Sequence, residues 1–313
     1  MREISPPSPA VVVAIDGSCR AISAALLAVD EAFDRDVPLR LLYAIKPSES
    51  GRCDSESMAR DFATAEVAVR QAAMAIESDD RPVKIEVEIV QDRALAALVT
   101  AAHSGAAMIC ISVPGLDDST GKRVGMNVSA LLEQAPCPVA IIRGDRQHRP
   151  DTGCVVTEFG SSADRPTVLG HALEEARLHR APLRVLATWR PGFPDIQDAH
   201  ARAEGGRQAK AELERSLAKD RRQFPDVDIH AVAVPCNTTN YLAQHADSIQ
   251  LLVLGHHPSN ELTALTGPAS YSTLTGMNCS LLFSEGCGAP RPATGTTATK
   301  PTGRRRIGVG AGS

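Results

Sequence analysis

One stretch of this chain occurs twice. Residues 31–47 read EAFDRDVPLRLLYAIKP and residues 175–191 read EARLHRAPLRVLATWRP, with seven of seventeen positions identical at an offset of 144 residues. Similar offsets link Asp16-Gly17-Ser18 to Phe159-Gly160-Ser161, 83–90 to 227–234, 108–112 to 251–255, and 135–138 to 277–280. A duplicated segment must fold by the same rules in both places, so the 313 residues divide into two domains of about 150 residues, each large enough for its own core.

Within each copy, short apolar runs alternate with amphipathic stretches, the pattern of parallel strands joined by crossover helices. In copy one the runs predict strands at 11–15, 39–45, 84–90, 108–112 and 139–142, with helices at 21–33, 58–76, 94–102 and 125–134. Five strands and four helices make a doubly wound α/β sheet. Right-handed crossovers then set the loops after strands one and four side by side, at the switch point where such sheets bind ligands.

Composition narrows the function. Apolar residues make up 43% and charged residues 22% of the chain, the profile of a globular protein. The longest apolar runs, 106–113 and 94–102, are too short to cross a bilayer, and 11–15 is too short for a signal-peptide core, so the expected place of action is the cytoplasm, with no membrane partner. A net charge of −4 argues against nucleic acid. The eight cysteines show no metal-ligand spacing and are expected to be reduced and mostly in the core. Arg291, Lys300, Arg304, Arg305 and Arg306 stand among Gly, Pro and Thr with no acidic residue from 289 onward, so 286–313 is expected to be a disordered basic tail.

Four motifs together point to a family: VVVAIDGS (11–18), DEAFDRDVPLRLLYAI (30–45), Ser112 followed by Gly115 and Gly125 in one loop, and APCPVAII (135–142). They resemble the universal stress protein family in its tandem, two-domain mycobacterial form, over about residues 10–285. The resemblance implies two Rossmann-like (adenine nucleotide alpha hydrolase-like) domains, each a five-stranded parallel sheet of order 3-2-1-4-5 flanked by helices. The domains would be 10–147 and 152–285, after a flexible stretch at 1–9. It also implies dimerisation through the fifth strand, ATP binding in one branch, and a role in hypoxia and dormancy.

That branch carries G-x2-G-x9-G-[S/T] after strand four. Glycines let the backbone approach phosphate oxygens, and the helix that follows offers N–H groups carrying partial positive charge. Gly115 and Gly125 keep the spacing, while Ser112 replaces the first glycine and Met126 the hydroxyl residue. Asn127 still offers a donor, and losing one hydroxyl contact costs about 1 kcal/mol. Asp16 matches the acidic residue facing the adenosine, where its carboxylate accepts hydrogen bonds from ribose hydroxyls or the adenine amine. The alternative is that Asp16 only caps the next helix and Gly17 only turns the chain. The expected nucleotide-binding set in domain 1 is Asp16, Gly17, Ala44, Ile111, Ser112, Gly115, Gly125, Met126, Asn127 and Val128. The expected ligand is ATP, with or without Mg2+. In copy two Phe159 replaces the aspartate, and Pro258 and Pro268 interrupt a loop whose Gly255-to-Gly267 spacing is one residue short, so no nucleotide is expected there.

Other motifs fail on context. The stretch from Gly115 to Lys122 lacks Walker spacing, and Ser119-x-x-Lys122 lacks the partners of a serine hydrolase. His256-His257 with His245 nearby lacks zinc-ligand spacing, so no metal is expected. No nucleophile with an adjacent base is visible, so the expectation is a stress or dormancy regulator that works by ATP binding and is not an enzyme, with slow ATP hydrolysis left open. The alternative is a nucleotide-free interaction scaffold. Strands at 139–142 and 281–283 would leave open apolar edges, which predicts an intramolecular pseudo-dimer, with a further homodimer and an unknown regulatory protein as candidate partners.

Overall fold

Val, Ile and Ala fill the first strand so completely that almost every side chain on both its faces is buried, as a parallel strand sandwiched between helices requires. The computed structural model describes residues 9–47, 55–78, 81–112, 121–143, 153–160, 165–190, 199–236, 238–255, 279–284 and 304–307. The chain forms two compact units, 1–146 with 288–313, and 147–287.

The first unit runs β1 (Ala10–Ile15), α1 (Cys19–Asp34), β2 (Leu39–Ile45), α2 (Ser55–Glu77), β3 (Ile85–Gln91), α3 (Ala94–His103), β4 (Ala106–Ser112), α4 (Gly121–Gln134) and β5 (Val139–Ile142). Its strands lie in the order β3-β2-β1-β4-β5, every neighbouring pair parallel. This is the order 3-2-1-4-5. The second unit repeats it with β6 (Cys154–Glu158), α5 (Arg165–Leu178), β7 (Leu183–Trp189), α6 (Ala199–Ser216), α7 (Ala218–Gln223), β8 (Ile229–Pro235), α8 (Thr238–Gln244), β9 (Ile249–Leu254) and β10 (Ser280–Phe283). Its order is β8-β7-β6-β9-β10, again all parallel.

Helix α1 shows how the sequence makes these elements. Ser18 caps it, its Oγ accepting from the Ala21 N–H at 3.1 Å. Ala21, Ala24, Ala25, Ala28, Val29 and Ala32 form its buried face at helical spacing, small enough for close approach to the sheet. At its end Asp36 turns left-handed (φ 51°), and the Val37 N–H reaches back to the Ala32 carbonyl at 3.0 Å. Arg180 (φ 50°) and the Ala181 N–H on Ala176 at 2.9 Å repeat this turn 144 residues later. The duplication therefore extends to the hydrogen bonds that end a helix.

Two expectations need correction. Helix α4 begins at Gly121, four residues before the expected 125, because a glycine such as Gly125 costs only about 1 kcal/mol inside a helix and does not stop one. The segment read as a disordered tail contributes β11 (Arg304–Ile307), which pairs antiparallel with β3. The outer edge of β3 offers a row of N–H and C=O groups, and an extended segment satisfies its own backbone by pairing there. Among the six described cysteines, Cys110, Cys137, Cys154 and Cys279 are buried, Cys19 and Cys236 are exposed, and none is in a disulfide. Burial pushes the Cys154 thiol up. Among the described residues no helix is long and apolar enough to cross a membrane.

Candidate functional site

In register, Ile15 of β1 stands beside Tyr43 of β2, and Val13 beside Cys110 of β4. Asp16, Ala44, Ile111 and Ser112, drawn from three separate stretches of sequence, therefore share the carboxyl end of the unit-one sheet, at the β1/β4 switch point. Ile111 is buried, Ala44 and Ser112 half-buried, and Asp16 exposed.

The β1–α1 turn fixes Asp16. One carboxylate oxygen, Oδ1, accepts from both the Ser18 N–H at 2.9 Å and the Ser18 hydroxyl at 2.6 Å. The same hydroxyl accepts from Ala21, so a single serine caps the helix and orients the aspartate. Ser18, not Asp16, is the cap. Oδ2 makes no hydrogen bond among the described residues, which leaves an acceptor facing solvent at the switch point. Gly17 has φ +84°, where a side chain is strained, and a Cβ there would stand 3.5 Å from Ala68 of α2. Sequence reasoning missed the part played by Ser18, although the D-x-S spacing of an Asx turn was there to be read.

The other half of the expected site is arranged differently. Gly115 lies outside the described residues. Gly125, Met126 and Asn127 fall within α4, past its first turn, so their N–H groups are committed to the helix ladder. The N–H groups of α4 that have no intrahelical acceptor are those at its start, before Val124. Val128 is 5% exposed and belongs to the core beneath the helix.

Unit two has different chemistry at the matching place. Phe159 follows β6 where Asp16 follows β1, and the Arg165 guanidinium sits over its ring at 4.6 Å. Trp189 ends β7, its ring against Gly205 and Gly206 of α6; a Cβ at Gly205 would come within 2.7 Å of the indole, so only glycine fits. His245 is held by the Tyr241 carbonyl at 2.9 Å and stacks on the Tyr241 ring. Pro258, Gly267, Pro268 and His256-His257 lie outside the described residues.

A parallel 3-2-1-4-5 sheet with an oriented carboxylate at its switch point defines a doubly wound α/β domain, here present in duplicate with different residues at the second switch point. Sequence comparison gives the family: the model described as the universal stress protein family matches residues 9–143 and again 154–283. The chain belongs to that family, in its tandem form. It is 39% identical over 275 residues to the universal stress protein Rv2028c of Mycobacterium tuberculosis, covering 88% of this chain and 95% of that one. A second M. tuberculosis member, Rv3134c, is 38% identical over 265 residues, covering 84% and 94%. Among solved structures, a universal stress protein from Archaeoglobus fulgidus matches with TM-score 0.64 at 14% identity, covering 88% of this chain and 96% of that one. Its low identity makes it a likeness of fold alone.

Proposed function

We propose that this chain is a cytoplasmic stress-response regulator that binds an adenine nucleotide, ATP with magnesium, at the switch point of unit one. The bound nucleotide alters its affinity for a regulatory protein partner, and catalytic turnover is not its work. The observation that carries the reading is Asp16, exposed at the end of β1, with one oxygen tied to Ser18 and the other open. That open oxygen suits the ribose hydroxyls or the adenine amine, with the main chain around Ala44 and Ile111 flanking the base. The first turn of α4, at 121–124, suits the phosphates better than Met126 and Asn127 do.

Unit two is read as nucleotide-free. Phe159 supplies no acceptor for a ribose, and Arg165 already covers its face.

The nucleotide-free scaffold stays as a second reading because α4 commits Gly125, Met126 and Asn127 to helix, which favours a purely structural segment there. Calorimetric titration of the whole chain with ATP and magnesium separates the two. Micromolar affinity that weakens at least tenfold in Asp16→Ala and in Gly115→Val supports the nucleotide switch. No heat and no thermal shift at millimolar ATP supports the scaffold. Phosphate release above background that disappears in Asp16→Ala would add slow hydrolysis to the role.

A further inference from the structure

The two outer edges opposite the fifth strands provide an internal comparison. In unit one the edge strand β3 reads IEVEIVQ, in unit two the equivalent β8 reads IHAVAVP. Glu86 and Glu88 are absent from the second copy, where His230 and Val232 stand at the same offset. Only the acidic edge is covered: β11 pairs with β3, and among the described residues no strand pairs with the free side of β8.

The register of that cover is specific. Arg304 stands opposite Val90, Arg305 opposite Ile89, Arg306 opposite Glu88 and Ile307 opposite Val87. Because a strand repeats every two residues, positions 304 and 306 of β11 share one face of the sheet with positions 86, 88 and 90 of β3. That face is already built around charge. Arg40, on β2 opposite Glu86 in register, donates through Nε at 3.2 Å and Nη2 at 3.0 Å to the Glu86 carboxylate, and lies 3.9 Å from that of Glu88. The Glu88 side chain is 6% exposed, a carboxylate enclosed at a sheet edge. The basic stretch of the chain thus meets its only described partner strand at an enclosed acidic position.

We infer that the β3 edge of unit one is a β-augmentation site for an arginine-rich extended segment, occupied in cis by Arg304–Ile307 of this chain. Backbone pairing supplies the attachment, and Glu88, opposite position 306, selects a basic residue there over a neutral or acidic one. A partner of the same chemistry, an extended basic peptide with an arginine at the position opposite Glu88, competes for the same edge. The inference is independent of nucleotide binding.

Amide hydrogen exchange on the full chain tests it. In an Arg305→Pro/Arg306→Pro variant, which removes two backbone donors from β11, the outward-facing amides of 87–90 exchange at least tenfold faster, with the rest of unit one unchanged. Equal rates in both proteins would overturn the site. Arg306→Glu deprotects the same amides and Arg306→Lys does not; seating of Arg306→Glu as firmly as the native strand would overturn the charge selection. A synthetic peptide of residues 301–310 restores protection to the double-proline variant, whereas the same peptide carrying Arg306→Glu does not. Protection of the native edge that rises with protein concentration would show a second copy supplying the strand and overturn occupancy in cis.

Discussion

Asp36 and Arg180 hold the same left-handed backbone at the same place in two repeats, although neither is glycine. A side chain at positive φ costs about 1–2 kcal/mol, and the helix-ending hydrogen bonds around each residue offset that cost. Arg180→Gly is therefore expected to raise stability by about 1 kcal/mol, read as a higher urea midpoint at unchanged slope. Ser18 works the other way. Ser18→Ala removes the cap of α1 and is expected to cost about 1 kcal/mol in the same assay. It also unties Oδ1 of Asp16, so nucleotide affinity should fall with it; a stability loss with unchanged affinity would show that the aspartate needs no such restraint. At this scale the sequence was half legible. Asp16 stood out by its motif and the D-x-S spacing held its turn, whereas that one Ser18 hydroxyl both donates to Asp16 and caps α1 shows only in the structure.

The β2–β3 pair carries a pH dependence. Burial works against the charge on Glu86, but hydrogen bonds from Lys84 and Arg40 and the attraction of both cations outweigh it, holding the carboxyl below its usual range. A carboxylate depressed in the folded state adds stability that is present above its unfolded value, about 4.3, and is lost as pH falls through the lower folded one. Urea midpoints should therefore drop below about pH 4.3, and Glu86→Gln should flatten that drop. The limits of β2 and β5 coincide with their mostly apolar runs, because a buried parallel strand stops where its apolar run stops; Arg40 is tolerated inside β2 by its pairing with Glu86. Helix α4 was less legible. Val128, Leu131 and Leu132 are buried, Val124 continues their spacing by one turn, and only the intervening Gly125 argued for a later start. The cost of a mid-helix glycine is small enough for the surrounding chain to override.

For the whole molecule, duplication was the readable fact. Core positions change slowly under a fixed architecture, so EAFDRDVPLRLL and EARLHRAPLRVL still align after their sites have diverged. Phe159, with Arg165 over its ring, stands where unit one has Asp16, so the acceptor on which the proposed nucleotide site depends has no counterpart in unit two. The expected binding stoichiometry is accordingly one nucleotide per chain, measured by titration; two equivalent sites would show that Phe159 and Arg165 do not close unit two. The strand β11 has a further consequence, for synthesis. It belongs to unit one yet follows unit two in the chain, so some two hundred residues must be translated between β3 and the strand that covers it. At about 5–20 residues per second, a nascent first unit waits roughly 10–40 s with that edge bare. During those seconds the edge strand presents unpaired N–H and C=O groups to any extended chain nearby, an exposure that ends only once residues 304–307 have been made.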